Sequence, residues 1–396
     1  MKVLLIVDDY MPDSIKVAAK MMHELACEYI KQGHYVSVLT PNSKIINSIE
    51  FSTLDGVNII SFKSGEIKNV PKVKRVINET LLSFNAWQSC KQFFKENPHD
   101  LIIYYSPTIF FGSLVGRLKK LWNVKSYLIL RDIFPQWAID NKILKEKSLI
   151  TSYFKYFENI NYKNADTIGL MSGKNLELFE KHYKNKKNLE VLYNWTDISK
   201  VETSSSKYKK ELNIENKVVF FYGGNMGHAQ DMMNIIRLAE NLQDYKEAHF
   251  ILVGAGDEVE LIKNHINTNH LSNITLLPSV NQNDFKQMLV EFDIGLFTLH
   301  KDHKTHNFPG KLLGYMLQEL PILGSINPDN DLKDLIDSYD AGLISMNGED
   351  DLLKTNAIKL LNIIERKKIS DNANKLLKDK FDVHSIAKQI LEGEVK

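Results

Sequence analysis

Residues 217–227 read KVVFFYGGNMG, an apolar run of strand length that ends directly in a glycine-rich turn. A helical segment follows from about Gln230, and a second apolar run, HFILVG, occupies 249–254. Apolar strands separated by helices are typical of a parallel sheet covered on both faces. Ligands of such sheets bind beyond the carboxyl ends of the strands. The segment therefore predicts a doubly wound α/β domain with a ligand site at this turn.

The same alternation of strands and helices extends over the whole chain. Further apolar runs lie at 3–7, 35–40, 57–62, 101–105, 126–131, 166–171, 189–193, 274–278, 293–299, 321–325 and 341–345. A polar stretch at 198–216 interrupts the pattern, and 396 residues exceed one ordinary core. We therefore expect an α/β fold of two doubly wound Rossmann-like domains facing across a cleft. Their predicted limits are 1–198 and 199–380, with a final helix at about 381–396 packing back on the first domain.

Composition excludes several classes of protein. The chain is 43% hydrophobic and 25% charged, and it lacks any run of 18 apolar residues, so no membrane span is expected. Its two cysteines, Cys27 and Cys90, cannot build a disulfide framework. Residues 1–200 hold 28 Lys and Arg against 20 Asp and Glu, and the remainder is acidic. This asymmetry is consistent either with an anionic partner of the first half or with a solvated lysine-rich surface.

The loop after the first strand, VDDYMPDSIK, carries no glycine, and none follows before Gly33. A dinucleotide fingerprint requires glycines directly after this strand, so the sequence argues against an NAD or FAD enzyme.

A charged pair, Arg131-Asp132, lies at the end of the apolar run 126–131. Its position at a strand end predicts either a structural ion pair or a site in which Arg131 binds an anion and Asp132 acts as base.

The segment LHKDHKTHNFPGKLLGYM contains the most informative cation. Pro309 is typical of a helix start, which places Lys311 in the first turn of the next helix. The positive charge of a lysine there is unfavourable next to the positive end of the helix dipole, unless a bound anion interacts with both. The alternative is a solvated lysine side chain. His303 and His306 lack a third ligand at suitable spacing, so no metal is expected.

These segments, in this order, resemble the family 4 retaining glycosyltransferases of the GT-B fold. The similarity runs essentially end to end. It rests on Tyr10-Met11-Pro12, Gly33-His34-Tyr35-Val36, Asn194-Trp195-Thr196-Asp197, Gly224-Asn225-Met226-Gly227, Val253-Gly254-Ala255-Gly256 and Tyr315-Met316 with Pro321-Ile322. The Arg131-Asp132-Ile133-Phe134-Pro135 and Pro309-Gly310-Lys311-Leu312-Leu313 signatures are similar to those of transferases of N-acetyl-L-fucosamine in bacterial O-antigen synthesis.

The resemblance implies a retaining, metal-independent transfer from a UDP-type nucleotide sugar, with no further cofactor. Within this mechanism we expect catalytic roles for Asp132, Arg131 and Lys311, the residues singled out above by their positions. The resemblance places the donor against Gly224, Asn225, Gly227, Gly254, Ala255, Gly256, His306, Asn307, Phe308, Pro309, Gly310, Lys311 and Leu312. The chain also departs from the family pattern. His306 and Gly314 stand where two glutamates are usual, and Asn225 and Gln230 stand where Arg and Lys usually bind phosphate.

An O-antigen acceptor would be a saccharide on a polyprenyl diphosphate. The first domain is then expected to contact an anionic membrane, through segments 72–96 and 108–122 with Phe84, Trp87, Phe110 and Phe111. The expected location is cytoplasmic, peripheral at the inner face of the bacterial inner membrane, with no nucleic-acid partner. Two other functions remain open: a non-hydrolysing sugar-nucleotide 2-epimerase, and a non-catalytic subunit that binds nucleotide sugar.

Overall fold

The computed structural model describes residues 1–14, 16–68, 70–140, 142–183, 188–199, 207–302 and 308–395. The chain forms two compact α/β units. The first unit comprises Met1–Asp197 together with Val383–Lys396, and the second comprises Ile198–Asp382. Each unit contains one sheet with helices on its faces.

The first unit contains eight strands in the order β3-β4-β2-β1-β5-β6-β7-β8, all parallel to their neighbours except β3 and β4. Its strands are β1 (Lys2–Ile6), β2 (Tyr35–Asn42), β3 (Ile49–Leu54), β4 (Val57–Lys63), β5 (Leu101–Ser106), β6 (Lys125–Leu130), β7 (Thr167–Leu170) and β8 (Asn188–Val191). Its helices, in the part before residue 198, are α1 (Val17–Lys31), α2 (Lys72–Thr80), α3 (Leu82–Glu96), α4 (Gly112–Trp122), α5 (Gln136–Asp140), α6 (Leu149–Lys163) and α7 (Gly173–His182).

The second unit contains six parallel strands in the order β11-β10-β9-β12-β13-β14. They are β9 (Val218–Asn225), β10 (Ala248–Ala255), β11 (Ile274–Leu277), β12 (Ile294–Thr298), β13 (Ile322–Ile326) and β14 (Gly342–Met346). Its helices are α8 (Tyr208–Glu211), α9 (Met232–Asn241), α10 (Val259–Thr268), α11 (Gln282–Glu291), α12 (Lys311–Leu317), α13 (Leu332–Ser338), α14 (Asp350–Lys359) and α15 (Ile363–Lys380). The last helix, α16 (Val383–Val395), belongs to the first unit.

Helix α16 completes one of the hydrophobic cores of the first unit. Its residues Ile386, Ala387 and Ile390 are buried against α1 and β6. Trp195 is fully buried in the same core, and its indole nitrogen donates to the Met21 carbonyl at 2.7 Å. The first core therefore depends on residues from both ends of the chain.

The structure differs from the predicted elements at several places, which include the short helices α5 and α8 that were not predicted. Strand β3 was not predicted, because its mostly exposed side chains lack the apolar run of the other strands. The single predicted helix at 73–96 is two helices that share Leu81 as a cap residue. The hydroxyl of Thr80 donates to the Val76 carbonyl at 2.6 Å, and such back-bonding bends helices.

Burial corrects part of the predicted membrane-contact surface. Phe110 and Phe111 are buried in the first unit, so they cannot form a face that docks on a membrane. Trp87 packs partly against the core, whereas Phe84 is exposed. No helix within the described ranges is both long enough and apolar enough to cross a bilayer.

The role of α16 can be tested by Ile390→Ala, which removes a fully buried side chain. We expect a loss of about 2–5 kcal/mol in the unfolding free energy of the first unit. All four tryptophans, Trp87, Trp122, Trp137 and Trp195, lie in that unit, so tryptophan fluorescence during urea unfolding reports on it selectively. Ile364→Ala, at a 73% exposed position on α15, is the matched control. Equal midpoints for the two variants would contradict this role.

Candidate functional site

The predicted glycine turn lies at the switch point of the second sheet. Strands β9 and β12 are neighbours, but the chain proceeds from β9 to β10 on one side and reaches β12 later on the other. Gly223–Asn225 ends β9, and α12 follows β12, so both reach the same edge of the sheet. Open α/β sheets bind ligands in the crevice at this point.

Lys311 is the cation at this point. It is the first residue of α12, as the sequence predicts, and Gly310 is the N-cap. Its ammonium nitrogen lies 3.4 Å from the ring centroid of Tyr222, which is fully buried in β9. A Cβ atom at Gly224 would lie 3.2 Å from that nitrogen, so the ammonium directly faces the glycine turn. No sequence pattern marks Tyr222 as part of this site, because a tyrosine within an apolar strand usually belongs to the core.

The ammonium of Lys311 has no carboxylate partner within the described ranges. Burial lowers its pKa to about 7, because little water remains to solvate the charge. The face of the Tyr222 ring offers the cation only partial compensation. A buried cation beside a glycine turn, without an acid, is an arrangement that favours an anionic ligand.

Two glycine-containing loops pack against each other next to Lys311. Gly224, Gly254 and Gly256 have φ angles of +137°, +156° and +158°, values that other residues rarely adopt. A Cβ atom at Gly254 would collide with the Gly224 carbonyl oxygen, and one at Gly256 with the Met226 carbonyl oxygen. The Met226 amide donates to the Ala255 carbonyl at 2.9 Å. The structure thus brings the predicted residues 224–227 and 254–256 together.

Two neutral side chains, Asn225 and Gln230, border the first loop, and the Asp257 carboxylate lies next to Gly227. The Asn225 amide donates to the Gln230 side-chain oxygen at 2.8 Å, and the same oxygen accepts from the Gly227 amide at 3.3 Å. Asn225 and Gln230 therefore bond to each other where the family is expected to carry Arg and Lys. Positive charge at this edge comes from Lys311.

The remaining predicted donor residues precede or follow Lys311. Phe308 and Leu312 have buried side chains, and Phe308 makes an edge-on contact with Phe381 at 6.5 Å between ring centroids. Only their main-chain atoms are therefore suited to a ligand. Pro309 and Gly310 lead directly into α12. His306 and Asn307 lie outside the described residues.

In the first unit, Arg131 is a buried residue at the end of β6. Its guanidinium donates to the carbonyls of Leu130, at 3.4 Å, and Tyr193, at 3.2 Å, and lies 5.5 Å from the centroid of a Trp195 ring. Burial lowers its pKa to about 10. Arg131 makes no ion pair with Asp132 in the described structure, so the predicted structural ion pair is absent. The contacts instead tie β6 to the chain after β8.

Asp132 and Asp8 are two carboxylates that follow β6 and β1, the strands on either side of β5. Asp132 is exposed, yet surrounding protein atoms raise its pKa, and Arg131 opposes this. Burial, with Asp9 as a neighbour, raises the pKa of Asp8 to about 6. Both carboxylates influence the hydroxyl of Tyr105, which lies in β5 between them. Asp8 was not among the predicted site residues, although its position directly after β1 was a usable signal.

Asp8 lines a cavity of about 610 Å³ formed wholly by the first unit, at the ends of β1, β2 and β4. Hydroxyl, amide and carboxylate groups surround it, together with a few apolar side chains. They include Asp8, Tyr10, Asp13, Thr40, Asn42, Glu50, Phe51, Ser61, Ser64 and Lys68. Asp9, beside Asp8, forms an ion pair with Lys68 and accepts from Ser14 at 2.8 Å. Such a lining is suited to a polyhydroxylated molecule.

The second unit resembles a known family of proteins. Residues 204–376 match the family model described as glycosyl transferases group 1, a range that covers most of Ile198–Asp382. The second unit is therefore similar to these transferases over most of its length.

Curated relatives share part of their length with this chain. The chain is 23% identical over 229 residues to the probable glycosyltransferase WbjE of Pseudomonas aeruginosa, covering 57% of each protein. It is 26% identical over 237 residues to an uncharacterized glycosyltransferase of Methanocaldococcus jannaschii, covering 58% of this chain and 59% of that protein. The matched regions thus span less than two thirds of these relatives.

Solved structures match over nearly the whole chain. HepE of Anabaena, crystallised in complex with UDP, aligns with a TM-score of 0.69 and 17% identity over 99% of both chains. WaaG, a glycosyltransferase involved in lipopolysaccharide biosynthesis, aligns with a TM-score of 0.67 and 15% identity over 99% of both. At these identities the comparison shows the fold, which is GT-B with two Rossmann-like units.

The uncompensated charge of Lys311 predicts a measurable effect on stability. Folding lowers the pKa of this lysine to about 7, from about 10.4 in unfolded chains, so the folded state binds its proton more weakly. The resulting destabilisation is complete below pH 7 and is relieved as the pH rises towards 10. Lys311→Met should therefore raise the ligand-free unfolding free energy by more than about 1 kcal/mol at pH 6, and by less at pH 9.5.

Calorimetric unfolding at the two pH values measures this difference. Lys263→Met replaces an exposed lysine on α10 and should leave stability unchanged at both. A Lys311→Met variant that is less stable than the parent at pH 6 would mean that the ammonium is already compensated.

Proposed function

We propose that this chain is a retaining glycosyltransferase that moves a sugar from a UDP-linked donor to a lipid-linked saccharide in bacterial surface polysaccharide (O-antigen) assembly. The transfer uses no metal ion in the reaction. N-acetyl-L-fucosamine is the donor sugar to test first. The match to the group 1 transferases, the similarity to WbjE and the UDP and UDP-glucose complexes of HepE support a nucleotide-sugar donor. The similarity to WaaG supports a glycan acceptor of the cell surface.

One observation carries the proposal: Lys311 presents a buried ammonium without an acid partner at the switch point of the second sheet. A diphosphate supplies the missing negative charge. The glycine loops at 224–227 and 254–256 allow its oxygens to approach the main chain closely, because no side chain projects from their glycines.

This arrangement acts on the leaving group. When the bond between sugar and diphosphate breaks, negative charge grows on the departing phosphate oxygen. A fixed cation in a site with little water stabilises that charge strongly, since it needs no reorganisation. Lys311 thus replaces the Arg and Lys that the family resemblance leads one to expect at Asn225 and Gln230.

Donor binding also changes the protonation of Lys311. With a pKa of about 7, the amine is only partly charged at neutral pH when no ligand is bound. The diphosphate raises that pKa, so the lysine takes up a proton on binding. Affinity for UDP should therefore decrease as the pH rises from 7 to 9, because the terminal phosphate, with a second pKa of about 6, is already mostly ionised at pH 7.

The first unit supplies the acceptor side. The hydroxyl-rich cavity lined by Asp8 and Thr40 receives the acceptor saccharide, and Asp132 accepts the proton of the attacking hydroxyl. Arg131 is already bonded to the Leu130 and Tyr193 carbonyls, so we assign it the positioning of the Asp132 loop.

A transfer assay tests the proposal. UDP-N-acetyl-L-fucosamine and a polyprenyl-diphosphate-linked saccharide are the substrates, and the anomeric configuration of the product is read by NMR. We expect Lys311→Met to lower kcat about 100-fold or more, and to abolish the decrease in UDP affinity above pH 7. Asp132→Asn should lower kcat while UDP affinity stays near that of the parent.

Lys263→Met, on the surface of the same unit, should retain full activity. If Lys311→Met keeps the parental kcat/KM and pH profile, the lysine has no part in the reaction. If no nucleotide sugar raises the thermal midpoint of the parent, the assignment as a transferase fails.

The acceptor lipid requires contact with a membrane, and α2 and α6 offer a surface for it. Val73 and Ile77 on α2, and Leu149 and Ile150 on α6, are exposed apolar side chains. The two helices adjoin, because Val76 packs with Phe154 and the Thr80 hydroxyl bonds to that of Tyr153. Exposed cations flank this surface: Lys72, Lys74, Arg75, Lys145 and Lys147. Apolar residues with surrounding lysines favour an anionic bilayer.

Flotation with phosphatidylglycerol-containing vesicles tests this surface. The parent protein should float with the vesicles at low salt and less at high salt, since salt screens the charge attraction. The double variant Val73→Ser with Ile77→Ser should lose most of the bound fraction. Ile363→Ser with Ile364→Ser changes two equally exposed side chains on α15 and should float like the parent. Equal loss in both double variants would remove α2 from the membrane contact.

A further inference from the structure

We infer that His23, Cys27 and Asp55 form a binding site for a zinc ion on the first unit. His23 and Cys27 lie one turn apart on α1, and Asp55 lies in the tight turn between β3 and β4. The turn brings the carboxylate onto the helix face that carries the other two side chains. The site is separate from Lys311 and from the glycine loops, and it does not depend on the proposed transfer.

The distances between the donor atoms suit a single small cation. His23 Nε2 lies 2.9 Å from Asp55 Oδ2 and 3.5 Å from Cys27 Sγ, and all three atoms lie within 4.8 Å of one another. Tetrahedral zinc, with bonds of about 2.0–2.3 Å, separates such donors by roughly 3.3–3.6 Å. Small side-chain shifts therefore create one face of a zinc tetrahedron. The exposed side of Asp55 leaves the fourth position to water.

The chemistry of the donors selects zinc among common cations. Imidazole, thiolate and carboxylate are its usual ligands, whereas calcium and magnesium prefer oxygen alone. The second ring nitrogen of His23, Nδ1, lies 2.8 Å from the Tyr10 hydroxyl. In the zinc-bound state the lone pair of Nε2 is directed at the ion, and Nδ1–H donates to the Tyr10 hydroxyl. Metal-bound histidines usually donate their second ring N–H to an oxygen atom in this way. Cys27 binds as thiolate, and its proton passes to solvent.

The alternative is that these residues have a purely structural role without a metal ion. The hydrogen bond between His23 and Asp55 by itself ties the hairpin to α1 and assigns no function to Cys27. A zinc site requires the thiolate as well. Within the described ranges no other group of three such donors converges in this way. No metal was expected from the sequence, because His303 and His306 lack a third ligand. Asp55 lies 28 positions from Cys27, and the unpredicted strand β3 is what positions it.

Zinc binding would also act on the cavity of the first unit. Tyr10 lines that cavity, and its hydroxyl bonds to His23. An ion on the far side of the imidazole fixes the ring and the hydrogen bond together. A bound zinc ion thus restrains Tyr10 in the wall of the cavity without contacting a molecule inside it.

Metal titration of the chelator-treated full chain tests the inference. ZnCl2 in calorimetry should give one saturable site per chain, and CoCl2 should produce a thiolate-to-cobalt absorption band. Cys27→Ser should abolish the band and weaken zinc binding at least tenfold. Cys90→Ser, at the other cysteine, should retain both, because Cys90 is buried in α3 and is absent from the cluster.

Asp55→Asn provides a variant that preserves the fold. Asp55 has a φ angle of +49°, which asparagine also adopts readily, so the turn persists while the charge is lost. We expect at least tenfold weaker zinc binding and an unchanged thermal midpoint in the absence of metal. A cobalt band that persists in Cys27→Ser, or zinc affinities that are equal in the parent and both cluster variants, would overturn the inference.

Discussion

A lysine ammonium that folding buries against a tyrosine ring is the constraint on which the second unit depends. Lys311 could be replaced by an apolar side chain at a gain in stability, because neither the Tyr222 ring nor any described carboxylate compensates the charge fully. A lysine at this position is therefore explained only if a bound ligand supplies the negative charge that pairs with it. The glycine loops serve the same end, since their backbone conformation brings main-chain atoms next to the cation.

The two units carry groups of opposite charge near the switch points of their sheets. Each sheet has a switch point beside its first strand, between β1 and β5 in the first unit and between β9 and β12 in the second. The second unit places a cation at its switch point. The first unit places Asp8 after β1 and Asp132 after β6, on either side of β5, and the pKa values of both carboxyl groups are raised. A cationic edge suits a phosphorylated substrate, and a set of proton acceptors suits a hydroxyl that must lose its proton.

The sequence predicts the fold well because buried parallel strands are nearly continuous apolar runs. It fails at β3, whose exposed residues carry no such signal, although Asp55-Gly56 is a typical hairpin turn that could have revealed it. Lys311 was predictable from Pro309 and the helix start that follows. Tyr222 and the Arg131 contacts were not, because they arise between segments far apart in sequence, such as β6 and the Tyr193 carbonyl. The cavity depends on several loops at once, so no local pattern reveals it.

The return of α16 to the first unit has a consequence for the order in which the protein forms. A ribosome releases residues 1–197 long before Val383–Lys396, yet one core of that unit needs Ile386 and Ile390 to close. The second unit is continuous in sequence and contains all its own strands, so it can finish its core during synthesis. The portion made first is therefore completed only after the second unit has been synthesised, and until α16 emerges its apolar partner face on α1 stays available to chaperones.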